Sequence, residues 1–120
     1  MPRTIIAIVD DLFFKAKIRG TAEQVGVSIA FPRHADGVKE NIQREAPALI
    51  ICDLNSERIN PIELARSLKT SRETRDIPLL GFFSHVQTEL QREAQQAGFD
   101  QVIPRSVFSN SLIKILSGSE

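Results

Sequence analysis

Five apolar runs, at residues 4–9, 27–31, 48–52, 77–83 and 101–103, alternate along the 120-residue chain with segments in which polar positions dominate. The first, third and fourth runs are nearly continuous in apolar character. That is the pattern of central strands covered on both faces. Between the runs, apolar residues return at helical spacing: Phe14, Ile18, Ala22 and Val25; Val38 and Ile42; Ile62, Ala65 and Leu68; Leu90, Ala94 and Ala97; Val107, Ile113 and Leu116. This spacing predicts five amphipathic helices. In Asn60-Pro61-Ile62-Glu63 the asparagine can cap, the proline suits the first helical position, and the glutamate follows in the first turn. Gly26 and Gly98 fall where the first and fourth helices should stop. Strand and helix alternating in this way predict an α/β domain with a doubly wound parallel sheet and right-handed crossovers. One domain is expected over residues 1–120, with a core at 4–116 and a short polar tail at 117–120.

Composition narrows the functional classes. No apolar run approaches the ~20 residues needed to span a membrane, and no signal-peptide pattern precedes Asp10, so a cytoplasmic location is expected. Fifteen basic and fifteen acidic side chains cancel. The chain therefore lacks the positive field that drives nucleic-acid binding, and with no Trp or Tyr it also lacks the usual stacking residues. Cys52 is the single cysteine and lies within an apolar run, which predicts a small buried hydrophobe and excludes an internal disulfide.

In an open parallel sheet, ligands bind beyond the carboxyl ends of the strands. Those positions hold Asp10-Asp11 after the first strand, Asp53 after the third, Ser84-His85 after the fourth and Pro104-Arg105 after the fifth. Taken singly, each is a common turn or cap residue. Taken together, clustered carboxylates repel unless a cation neutralises them. Mg2+ suits an all-oxygen site that keeps some of its waters. An open position on the metal beside Asp53 could take a phosphoryl oxygen, with Arg105 offsetting charge and Ser84 donating a hydrogen bond. Asp53 would then be the nucleophile. His34 and His85 are read as loop residues, because two isolated histidines support no histidine-based metal site.

The set Ile-Val-Asp-Asp at 8–11, Ile-Ile-Cys-Asp at 50–53, Ile-Pro-Leu-Leu at 77–80 leading to Ser84, and Ala-Gly-Phe-Asp at 97–100 before Arg105 resembles the CheY-like receiver domains of bacterial response regulators. The resemblance runs from Thr4 to Leu116. It implies a flavodoxin-like fold with five parallel strands in the order 2-1-3-4-5 and five helices. It also implies two-component phosphorelay signalling, with Asp53 as phosphoacceptor and Mg2+ held by Asp10, Asp11, Asp53 and the backbone carbonyl of Asn55. Ser84 matches the hydroxyl that moves toward the phosphoryl group. A sensor histidine kinase or phosphotransfer protein would be the donor, a downstream protein the target, and a homodimer through the fourth-helix face is open. Any catalysis would be limited to autocatalytic transfer to Asp53 and self-dephosphorylation.

The chain departs from the family in five places. Arg105 stands for a lysine, Ser106 for the proline after it, and Val102 for the aromatic switch residue. The loop 54–61 lacks the usual signatures, and His85 occupies a position that is usually small. These departures keep a second function open: a pseudo-receiver, acting as a protein-protein interaction module without phosphorylation. A third, a flavin or nucleotide binder of the same fold type, is disfavoured because acids rather than a glycine- or hydroxyl-rich phosphate loop follow Val9.

Overall fold

The structure, a computed structural model, describes residues 3–84 and 87–118. Its elements follow one another as β1 (Thr4–Ile8), α1 (Leu12–Gln24), β2 (Ser28–Ala30), α2 (Ala35–Arg44), β3 (Leu49–Asp53), α3 (Pro61–Thr70), β4 (Leu79–Phe83), α4 (Thr88–Ala97), β5 (Gln101–Pro104), α5 (Arg105–Asn110) and α6 (Leu112–Ser117). The five strands form one parallel sheet, as the sequence pattern predicts, in the order β2-β1-β3-β4-β5 that the resemblance implies.

Alternation along each strand divides the core into two layers. Ile6, Ile8, Ile50, Cys52, Leu79 and Phe83 pack with Val38 of α2, Leu64, Ala65 and Leu68 of α3, and Ala94 and Ala97 of α4. Ile5, Ala7, Ile51, Leu80 and Phe82 pack with Phe14, Ile18 and Ala22 of α1, Phe108 of α5, and Leu112 and Leu116 of α6. In the second layer Phe82 and Phe108 stack at 4.6 Å, and Phe14 meets them edge-on at 5.4 and 5.8 Å. Asp53 has the parity of Leu49 and Ile51, so its side chain belongs to the face covered by α1 and α5.

Strand ends at β1, β2, β3 and β5 differ from the sequence reading by a residue, and four differences bear on the fold or the site. Asp53 is the last residue of β3 rather than the residue after it: it pairs with Phe82, and the Leu54 N–H extends the ladder to the Phe82 carbonyl at 2.9 Å. The fourth strand begins at Leu79 because the Ile77 N–H is drawn into a turn with the Thr74 carbonyl and Pro78 has no N–H to give. The fifth helical segment breaks at Ser111, whose N–H is shared between the carbonyls of Val107 and Phe108, so α5 and α6 are separate short helices. Ser117, expected in the tail, is helical.

Caps mark the start of α3 and the end of α4. The Asn60 side chain accepts hydrogen bonds from the N–H groups of Ile62 and Glu63, with Pro61 in the first turn. Gly98 ends α4 at φ 113°, a conformation that favours glycine. At the strand ends remote from the acids, the Lys69 ammonium donates to the carbonyls of Arg75 and Ile77 and pairs with Asp100 at 3.4 Å, while Asp100 also accepts from the Leu79 N–H. This brace ties the end of α3 to the start of β4.

Phe108 is fully buried at the centre of the aromatic group. Phe108→Ala is therefore expected to cost about 3–5 kcal/mol in urea denaturation, against roughly 0.5 kcal/mol or less for Ile113→Ala at an exposed position of α6. Burial, and secondarily the charge of Asp53, push the Cys52 thiol far above its ordinary pKa. Native protein should resist thiol reagents at pH 8, and modification should appear only with unfolding.

Candidate functional site

The acids stand where β1 and β3 end, and each is engaged differently. Asp11 is the N-cap of α1: its Oδ1 accepts hydrogen bonds from the N–H groups of Phe13 at 2.9 Å and Phe14 at 3.1 Å. Its other oxygen, Oδ2, accepts from the Arg105 guanidinium at 3.2 Å. Asp10 reaches across to the loop after β3, where Oδ1 accepts from the Ser56 hydroxyl at 2.8 Å and Oδ2 from the N–H groups of Glu57 at 2.8 Å and Arg58 at 3.4 Å. Asp53 accepts from the Asn55 N–H at 2.9 Å. It is 7% exposed and, among the described residues, the only charged one that is buried.

Each acid's pKa follows from these partners. Partial burial pushes Asp10 up, but the Glu57 N–H, the Ser56 hydroxyl and the N–H and charge of Arg58 together hold it below the ordinary carboxylate range. The Phe14 N–H, followed by the Arg105 side chain, holds Asp11 low as well. Asp53 goes the other way. Burial raises it, the Asn55 N–H and Arg105 charge oppose that, and the charges of Asp10 and Asp11 raise it further.

The remaining candidates sit around this cluster. Arg105 opens α5, and its guanidinium lies 4.0 Å from the centroid of the Phe14 ring. The exposed Ser84 follows β4, and its N–H donates to Asn55 Oδ1 at 3.3 Å. Asn55 Nδ2 donates in turn to Gln87 at 2.9 Å, so this side chain ties the loop after β3 to the loop after β4. Val102 is half-buried in β5 against the α3–α4 layer. His34 precedes α2 without capping it through its side chain. His85 lies outside the described residues.

Asp10, Asp11, Asp53 and Arg105 are thus brought to one end of the sheet, coupled through charge. Among the described residues, however, no three acid, histidine or cysteine side chains are arranged about a common metal position. The reason is local: Asp10 is turned to the Ser56–Arg58 backbone and Asp11 to its own helix and Arg105. The donor chemistry nevertheless fits a hard divalent cation. Every donor is oxygen, and Asp53 is buried where its neighbours' charges oppose its ionisation. Three participants were missed in the sequence: Ser56 as partner of Asp10, the Asn55 side chain as a clamp, and Phe14 as the platform under Arg105. Phe14 carried a core signal that masks its second role, and Ser56 carried no distinguishing signal.

A raised carboxyl pKa means that folding favours the protonated form. The Asp53 contribution is favourable below the unfolded pKa and is lost as pH rises through the folded one. Removing the charge should therefore stabilise the metal-free protein at neutral pH. Asp53→Asn is expected to raise Tm by a few degrees at pH 7, and the gain should vanish as pH falls into the range where wild-type Asp53 is protonated.

No family model and no curated protein sequence matches the chain. Solved structures do. The chemotaxis response regulator CheY4 of Vibrio cholerae superposes with a TM-score of 0.82 at 15% identity, covering 100% of both chains. The phosphorylated cyanobacterial phytochrome response regulator RcpA gives 0.79 at 16% identity, covering 98% of this chain and 91% of the other. The Mn2+-bound form of the response regulator Rcp1 gives 0.77 at 15% identity, with the same coverage of 98% and 91%. Among the described residues, no helix is long and apolar enough to cross a membrane. With its strand order, its alternating helices and these neighbours, the chain has the CheY-like fold of response-regulator receiver domains.

Proposed function

We propose that the domain is a phosphoryl-accepting receiver in two-component signalling: a sensor histidine kinase or phosphotransfer protein donates to Asp53, with Mg2+ at the acids beside it. The observation that supports this best is Asp53 itself. A carboxylate buried at a strand end, with two further acids raising its pKa, is an expensive feature for a fold to carry without use. The likeness to a phosphorylated regulator and to one binding Mn2+ is consistent with that chemistry.

In the proposed reaction an oxygen of Asp53 attacks the phosphorus of a donor phosphohistidine. The P–N bond breaks, the imidazole leaves with the electron pair, and an acyl phosphate remains. Asp10, Asp11, Asp53 and the Asn55 carbonyl would hold Mg2+, which supplies positive charge to the phosphoryl oxygens. Arg105 offsets charge from the α5 side, and the Ser84 hydroxyl donates a hydrogen bond. Attack by water on phosphorus later restores the carboxylate and releases phosphate. The face formed by α4, β5 and the α5–α6 segment then meets a downstream protein, with Val102 in place of an aromatic switch.

One observation favours the alternative, an interaction module that carries no phosphate: both oxygens of Asp10 and both of Asp11 already have hydrogen-bond partners within the protein. Treatment with acetyl phosphate or beryllofluoride, read by mass and by NMR shifts, separates the two. The expected outcome is modification that requires both Mg2+ and Asp53 and is absent in Asp53→Asn. No response at millimolar Mg2+ would leave the interaction module.

A further inference from the structure

Arg105 is held in two ways at once. One guanidinium nitrogen donates to Asp11 Oδ2 at 3.2 Å, and the guanidinium lies 4.0 Å from the Phe14 ring centroid. Phe14 is buried and fixed edge-on against Phe82 and Phe108, so the platform under the arginine does not move freely. Asp11 Oδ1 is occupied by the first turn of α1. Oδ2 is therefore the oxygen a cation would approach, and Arg105 is already on it. The other ion pair among the described residues, Lys69 with Asp100, braces the opposite end of the sheet and does not bear on the acids.

We propose that Arg105 is the resident counter-ion of the acid cluster, and that a divalent cation binds only by displacing it from Asp11. The proposal rests on the reading of the cluster as a Mg2+ site given above. Two positive groups at one carboxylate oxygen repel each other at short range. A guanidinium that both hydrogen-bonds the acid and stacks on a ring is a more persistent competitor than a mobile ammonium. Two consequences follow. The arginine lowers the affinity of the site for the cation, and cation binding releases Arg105 from Phe14 close to Asp53, which already feels its charge. Metal loading and the position of Arg105 become one switch.

The test is calorimetric titration of the full chain with Mg2+ and Mn2+ in wild type, Arg105→Gln, Arg105→Lys and Arg19→Gln, alongside NMR of the arginine side chains under Mg2+. Arg105→Gln should tighten the Kd about tenfold and Arg105→Lys less. Arg19→Gln, which removes an exposed charge from α1, the helix that Asp11 caps, without touching Asp11, should change it by less than about twofold. The Arg105 side-chain signals, shifted by the Phe14 ring in the free protein, should lose that shift as Mg2+ saturates. If Mg2+ binds with equal affinity in wild type and Arg105→Gln, or saturates with the ring shift intact, displacement is refuted while the Mg2+ site stands. If neither protein binds cation, both the displacement and the Mg2+ reading fall.

Discussion

A charge that the fold only partly compensates, the carboxylate of Asp53, is the constraint on which this end of the molecule turns. It sits at the end of the middle strand, on the face that carries the aromatic core. One backbone N–H and the field of Arg105 favour its ionisation, while burial, Asp10 and Asp11 oppose it. The surrounding groups hold the other two acids in their ionised form, and their charges bear on Asp53. Asp10 is stabilised as a carboxylate by donors from the Ser56–Arg58 loop, and Asp11 by the start of α1 and by Arg105.

The aromatic group connects the acid cluster to the core. Phe82 lies on β4 beside Asp53 in register, Phe108 on α5 and Phe14 on α1. Arg105 rests on Phe14, so a side chain at the polar rim is coupled to three elements through close-packed rings. Packed interiors shift between discrete arrangements rather than deforming smoothly. Under the proposed displacement, a change in what Asp11 binds reaches α5, which belongs to the proposed output face, through Arg105. A lysine in place of Arg105 would keep the charge but lose the planar contact with Phe14.

The fold was legible because its signals were redundant. Continuous apolar runs marked β1, β3 and β4, the Asn60-Pro61 cap marked α3, and Gly98 marked the end of α4. The break at Ser111 was hidden because Val107, Ile113 and Leu116 keep a helical spacing across it, while the polar Ser109-Asn110-Ser111 segment carries the turn. The site was legible as a set of positions but not as a set of contacts. That Asp10, Asp11, Asp53, Ser84 and Arg105 gather at one end of the sheet follows from where strands stop. Whether Asp11 faces a metal or an arginine depends on Phe14 offering a flat apolar surface at the right height, and that depends on packing of rings distant in sequence. The role of the Asn55 side chain between Ser84 and Gln87 is likewise set by two loops meeting, which no local pattern encodes.

The central claim, that Asp53 carries a buried and incompletely compensated charge, is tested most directly by following its side-chain carboxyl carbon by NMR as metal-free protein is titrated with acid. The expected result is a midpoint above the ~3.9 of a free aspartate, with Asp10 and Asp11 titrating below it. A midpoint for Asp53 at or below the free value would contradict the account, because the carboxylate would then be fully compensated by the protein alone.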